Sequence, residues 1–150
     1  MSSPELRVLL NELQIGGVNL ELAGNKLRCV APKGFIFPEF NKFLADNKPA
    51  IIHILQGKAL INRAIDEIIN LWDQVEESGA SIAWEWIMRS SPYGRKIKAA
   101  ENEVDRIGST GDLTALDYAC KAWVSSWREG IEGWKKQQLF VGGCNPDSFR

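Results

Sequence analysis

The apolar period of the sequence changes in its first quarter, and this change constrains the fold more than any other feature. Apolar side chains occupy alternate positions from Val18 to Leu22 and again from Leu27 to Ala31, as in a half-buried β-strand. Ala23-Gly24-Asn25, between the two runs, has the composition of a tight turn. The pattern predicts a β-hairpin whose leucines face inward. Its outward-facing residues would be Asn19, Glu21, Lys26, Arg28 and Val30.

Three short helices are predicted around this hairpin. The leucines within residues 6–13 share one helical face, and Gly16-Gly17 ends that helix, because glycine tolerates a left-handed C-terminal conformation. Pro38 begins a second helix after the hairpin. Pro49 lies just inside the start of a third, with Asn47 as its cap, since proline suits the first turn of a helix and not its interior.

The second half of the chain shows a heptad-like spacing. Apolar residues follow a 4-3-4-3 order over residues 61–75 and 93–107, and those between 116 and 134 make a third seam, which predicts three helices with apolar seams. The turn at 108–111, with Asp112 as the following helix cap, is short. We therefore expect the last two of these helices to lie antiparallel.

Two segments lack the seam spacing. The dense apolar run over residues 82–88 predicts a short buried helix. Trp84 and Trp86 do not share a face of that helix, so one of them is expected to be exposed, and the sequence leaves open which one. Residues 139–150 have no apolar period, which predicts an extended tail.

Together these patterns predict a mainly helical α+β fold with one hairpin. Residues 1–57 would form a domain with the element order αββαα. Residues 58–138 would form a helical bundle or an antiparallel coiled-coil hairpin, and residues 139–150 the tail. The chain of 150 residues is 45% hydrophobic, which supplies enough apolar surface for such cores without disulfides.

Several short motifs follow one another in the first domain with a defined order and spacing. They are Leu9-Leu10 before Glu12-Leu13, the Gly-Val-x-Leu strand start at residues 17–20, Leu27-Arg28, and Ala31-Pro32-Lys33-Gly34 with Pro38-Glu39 shortly after it. In this order the run over residues 9–55 resembles the TubC N-terminal docking domain family.

The resemblance implies a small, typically dimeric domain whose exposed hairpin accepts a short C-terminal segment of a partner protein. In the family such domains stand at the N-termini of multienzyme peptide and polyketide synthetase subunits. Related domains occur on small stand-alone bacterial proteins with helical tails, and this chain resembles that second arrangement. Lys26, Arg28 and Lys33 would then hold an acidic group of the partner, while Glu21 makes the outer face mixed in charge.

The tryptophans have two interpretations, as a stacking platform for bases or a ligand, or as packing residues. Their seam positions favour packing in a core or an interface. Tryptophan- and isoleucine-rich seams on few helices leave apolar surface to cover, so we also expect self-association as a homodimer. The residues predicted to mediate it are Trp72, Trp123, Trp127 and Trp134.

A small basic cluster, Arg95, Lys96 and Lys98, could contact phosphate. Acidic residues follow it within one turn, so an ion-paired helix surface is the expected interpretation. The cluster nevertheless supports an alternative function, that of a nucleic-acid-associated accessory factor of a mobile genetic element. The formal net charge of −1 gives this alternative no general electrostatic support.

Catalytic, metal and cofactor sites are not expected. His53 is the only histidine, and it lies among isoleucines with no cysteine or carboxylate at ligand spacing. The three cysteines are far apart and lack CxxC spacing, which favours reduced thiols in a cytoplasmic protein. No signal-peptide run and no membrane-length apolar run is present. The expected function is therefore non-catalytic docking or adaptor binding of another protein.

Overall fold

Helices and one hairpin make up the part of the chain that the computed structural model describes, which is residues 3–24, 26–34 and 38–143. This architecture confirms the predicted α+β class. In chain order the elements are α1 (Ser3–Ile15), β1 (Asn19–Ala23), β2 (Lys26–Val30), α2 (Pro38–Trp72), a 3-10 turn (Glu77–Gly79), α3 (Ala80–Glu85), a π-helical turn (Trp86–Ser90), α4 (Tyr93–Gly108) and α5 (Leu113–Gly143). The chain divides into a first unit, residues 1–59, and a second unit, residues 60–150.

Helix α1 ends in the glycine motif that the sequence predicts. Gly17 has a φ of +91°, which only glycine adopts without strain. The Gly17 N–H donates to the carbonyl of Gln14 at 3.0 Å, and the Val18 N–H donates to the carbonyl of Leu13 at 2.8 Å. These are the two hydrogen bonds of a Schellman motif, and they turn the chain directly into the hairpin.

The strands β1 and β2 pair antiparallel with Leu20 opposite Cys29 and Leu22 opposite Leu27. Their inward-facing side chains are half-buried and their outward-facing ones exposed, as the alternation predicts. Leu20 and Leu27 pack against the core of the first unit. The buried residues of that core are Leu6, Leu10, Ile51 and Ile54.

A single helix, α2, replaces the second and third short helices predicted for the first unit. Asn47 does not begin a new helix, and its Nδ2 donates to the carbonyl of Phe43 at 2.9 Å within α2. The predicted break is wrong because burial outweighs the proline. An internal Pro49 costs about 3 kcal/mol, whereas burying Ile51 and Ile54 contributes roughly 1.5–3 kcal/mol each.

The second unit has its core between the end of α2, the π-helical turn, α4 and α5. Lys96 near the start of α4 contacts Glu129, in the middle of α5, with Nζ and Oε2 2.7 Å apart. A short turn joins the end of α4 to the start of α5, so the two helices lie antiparallel, as predicted. The predicted cap is also confirmed, since the Ala115 N–H donates to Oδ1 of Asp112 at 3.0 Å.

The buried face of α2 in the second unit differs from the predicted seam. Ala64 is buried, whereas Ile65, which the 4-3-4-3 spacing places in the seam, is 38% exposed. Apolar residues stand at both 60–61 and 64–65, and at both 68–69 and 71–72, so they cover an arc of about half of the helix circumference. The sequence therefore allows two neighbouring faces, and spacing alone does not choose between them.

Two other segments also differ from prediction. The run over residues 82–88 is not wholly buried, because Ile82 and Trp84 are exposed while Ala83 and Ile87 are buried. Successive helix residues point about 100° apart, so a short run packed on one side exposes part of its apolar side chains. Helix α5 continues through residues 139–143, where the sequence predicts extended chain, and the rest of that predicted tail lies outside the described residues.

Candidate partner-binding hairpin

The outer face of the hairpin presents five of the six predicted partner-binding residues to solvent. Its cross-strand pairs are Asn19 with Val30, Glu21 with Arg28, and Ala23 with Lys26. All six of these side chains are exposed. Opposed residues of an antiparallel pair lie about 4.5–5.5 Å apart at Cβ, so the face is one continuous surface.

The charges on this face are available to a ligand. Arg28 lies opposite Glu21, and Lys26 stands at the loop end of the same strand. Lys33 is exposed in the turn that follows β2. Across the described residues, none of the cations Lys26, Arg28 and Lys33 forms an ion pair within 4 Å. Their charges are therefore compensated by solvent rather than by fixed carboxylates.

The hairpin also has open main-chain edges. Within the described part of the chain its sheet contains β1 and β2 alone, so each strand has one edge without a strand partner. Unpaired edge N–H and C=O groups are a template for another extended chain. The edge of β2 ends at Val30, because Pro32 and Gly34, which has a φ of +87°, terminate the strand.

Cys29 lies on the inner face of β2 and is half-buried. Burial raises the pKa of its thiol above the ordinary value, because a thiolate there would lose solvation. The thiol is therefore neutral at physiological pH and behaves as a small apolar residue. It supports the inner face and adds no charge to the outer face of the hairpin.

The four tryptophans predicted to mediate self-association take part in the core of the second unit. Trp127 is buried, and the indole of Trp72 meets it edge-to-face with ring centroids 5.6 Å apart. Trp123 and Trp134 are half-buried against the same core. Their main contacts are thus within the chain, and their use by a second copy stays a prediction.

The remaining sequence expectations concern residues outside the hairpin. His53 is exposed on α2. The described residues contain no group of three or more His, Cys, Asp or Glu side chains that could hold a metal ion. None of the helices in the described ranges has the length and apolar content needed to span a bilayer.

Sequence reasoning missed one arrangement in the second unit. Trp84 lines the same cavity as Arg95 and Lys98, although it is more than ten residues away from them in the chain. The basic residues were visible as a cluster, but their aromatic neighbour depends on how α3 packs beside α4. No local sequence pattern carries that information.

Comparison with known proteins bears on the first unit. Residues 7–57 match the family model of the TubC N-terminal docking domain, which confirms the expected resemblance. Neither the curated proteins nor the solved structures include a match to this chain. Residues 7–57 are therefore similar to the TubC N-terminal docking domain, and this similarity points to a protein–protein docking role for the chain.

Proposed function

We propose that the hairpin receives a short, extended C-terminal segment of a partner protein and that the chain acts by docking, without catalysis. The observation that carries the proposal is the outer face itself, which is exposed along its whole length and holds cations with no fixed counter-ion. The family similarity of residues 7–57 supports the same role.

The binding mode would be strand addition. An extended segment adds main-chain hydrogen bonds along an open edge, and alternate side chains of the segment meet the face of the sheet. The half-buried Leu20 and Leu27 on the other face pack the hairpin on the core of its unit, so its outer face is formed before a ligand arrives. A preformed surface reduces the entropy that is lost on binding.

The charge of the face favours an acidic segment. Lys26, Arg28 and Lys33 outnumber Glu21 on the outer surface. An acidic side chain placed between Arg28 and Lys26 would form charge-assisted hydrogen bonds, which are stronger than neutral ones. Val30, which is 44% exposed, adds an apolar contact near the end of the face.

A charge-exchange experiment tests this mode. The probe is a fluorescein-labelled peptide of alternating glutamate and leucine, with binding followed by fluorescence anisotropy. Reversing both cations, Lys26→Glu with Arg28→Glu, is expected to weaken binding about tenfold or more, which corresponds to about 1.4 kcal/mol. A peptide with lysine in place of glutamate is expected to prefer the reversed variant.

The matched control reverses two exposed lysines of α2, Lys42→Glu with Lys48→Glu. This control changes the net charge by the same amount as the test variant, so it separates local recognition from general attraction. Equal losses of binding in both double variants would refute docking at the hairpin face.

We also propose that the chain self-associates and that it works in the cytoplasm. Ile65 and Ile69 support self-association, because they are exposed one turn apart on the same face of α2. Replacing both with glutamate should lower the mass measured by sedimentation equilibrium, and an unchanged mass would exclude this face. The free thiols of Cys29 and Cys120 suit a reducing compartment.

A further inference from the structure

A groove in the second unit combines cations with an exposed indole. It has a volume of about 580 Å³ and lies between α3, the π-helical turn and α4. The side chains that define its chemistry are Trp84, Met88, Arg89, Arg95, Lys98 and Asn102. The docking role proposed for the first unit does not use any of these residues.

Beside this groove, the backbone at the start of α4 packs tightly against the backbone of the π-helical turn. A Cβ on Gly94 would lie 2.3 Å from the carbonyl oxygen of Met88, so only glycine lets α4 begin against the π-helical turn. Ser91 stabilises this junction between the π-helical turn and α4. Its Oγ donates to the carbonyl of Ile87 at 2.7 Å and accepts from the Tyr93 N–H at 3.2 Å. The junction between the π-helical turn and α4 therefore positions Trp84 of α3 near the first turns of α4.

The net charge of the groove comes from two residues. Arg89 is neutralised by Glu85, with Nη1 and Oε1 2.9 Å apart. Arg95 and Lys98 are exposed and form no ion pair with any described residue. The described lining contains no carboxylate. Neighbouring Lys96 does pair, but with Glu129 of α5 and not with the acidic residues that follow it on α4, which were the partners expected from the sequence.

Trp84 supplies a planar apolar surface beside these cations. Its side chain is 44% exposed, although Trp86 two residues later is half-buried against the core. Trp84 lines the cationic groove and also a second cavity of about 420 Å³, so its indole contributes to both surfaces. Such an indole offers a face on which a flat ring can stack.

We propose that this groove binds single-stranded nucleic acid, with a base stacked on Trp84 and backbone phosphates at Arg95 and Lys98. Arg95, Lys98 and Asn102 follow one another along α4 over about 10 Å, which forms a stripe for a strand. Phosphates supply the anions, and every base supplies a planar face. An acidic peptide would satisfy the cations and leave the indole without a stacking partner.

The experiment measures binding of a fluorescein-labelled oligothymidylate to the full chain by anisotropy over a salt series. Two phosphate contacts predict a slope of about −1.4 for log K against log salt concentration. Trp84→Ala is expected to weaken binding about fivefold or more, since one stacked base contributes about that factor. Reversing both cations, Arg95→Glu with Lys98→Glu, should abolish binding and its salt dependence.

The controls separate this groove from a general polyanion surface. Arg128→Glu with Lys136→Glu changes two exposed cations of α5 and the same number of charges, and should leave binding within about twofold. Ile82→Ala removes an exposed apolar side chain of α3 outside the groove and should have no effect. The proposal is overturned if the oligothymidylate does not bind at low salt, if polyglutamate competes equally well, or if the two charge-reversal pairs behave alike.

Discussion

Gly94 shows how one residue without a side chain decides the path of the chain. Its position is buried, and an added methyl group would overlap main-chain atoms of Met88 at 2.3–2.9 Å. Main-chain atoms at a helix junction cannot turn aside as the end of a side chain can. The close approach of α4 to the π-helical turn therefore depends on glycine at this one place.

We predict that Gly94→Ala lowers the free energy of unfolding by about 1–3 kcal/mol, because the added methyl group forces the junction apart. Urea unfolding followed by circular dichroism measures the change. Gly79→Ala is the matched control, since no atom of the described residues lies within 4 Å of the position of its Cβ and its φ is −105°. Equal stability of Gly94→Ala and wild type would show that α4 does not begin against Met88.

At the scale of elements, local patterns located the hairpin correctly and misplaced a helix boundary. The hairpin register follows from side-chain alternation, because a shift of one residue would bring Glu21 and Arg28 to the core. Helix α2 follows from tertiary burial instead. Local sequence patterns predict that a helix starts at Pro49. They do not take into account that Ile51 and Ile54 pack against residues of α1.

The same limit explains what could be inferred about the sites. The alternation of apolar and polar residues was enough to predict which hairpin residues face outward. The basic cluster at Arg95 and Lys98 could likewise be identified from the sequence. The sequence alone could not show that Trp84 is exposed and Trp86 half-buried. This depends on which side of α3 and the π-helical turn is covered by the core. For the same reason, the sequence alone could not show that α2 buries Ala64 and leaves Ile65 exposed.

Pro49→Ala tests the continuity of α2. The substitution supplies the N–H that proline lacks inside a helix, so we expect the free energy of unfolding of the first unit to rise by about 1–3 kcal/mol. The gain is reduced somewhat by the greater freedom of the unfolded alanine chain. Thermal unfolding of the two proteins gives the comparison, and a less stable variant would indicate that a new helix begins at Pro49 after all.

At the scale of the whole molecule, the two units differ in how much they bury. Among the described residues, the core of the first unit contains Leu6, Leu10, Ile51 and Ile54. The corresponding cluster of the second unit is much larger and includes several aromatic side chains. A domain of about 60 residues is marginal in stability, so the first unit should open at lower denaturant concentration.

One thiol in each unit reports on this difference. Cys29 belongs to the first unit and Cys120, which is buried, to the second. Burial raises the pKa of both thiols, with Asp117 adding to the effect at Cys120. The native thiols therefore keep their protons to higher pH than in the unfolded chain, and the stability that this provides is complete below the unfolded pKa and is lost as the pH rises above it.

We predict that Cys29 becomes reactive at a lower urea concentration than Cys120. The measurement is alkylation at pH 8 in a Cys144→Ser background, followed by peptide mass analysis, because that substitution leaves only these two thiols. At this pH an unfolded cysteine reacts readily, whereas the native ones stay protonated. Simultaneous labelling of both would mean that the chain unfolds as one cooperative body.

The strict alternation of the hairpin separates two sets of residues that can change independently. Positions 20, 22, 27 and 29 face the core, and positions 19, 21, 26, 28 and 30 face solvent. A library randomised at the second set alone would leave the scaffold intact while it samples new recognition chemistries. Under the docking mode proposed for the hairpin, such a library would supply mutually orthogonal connectors between proteins.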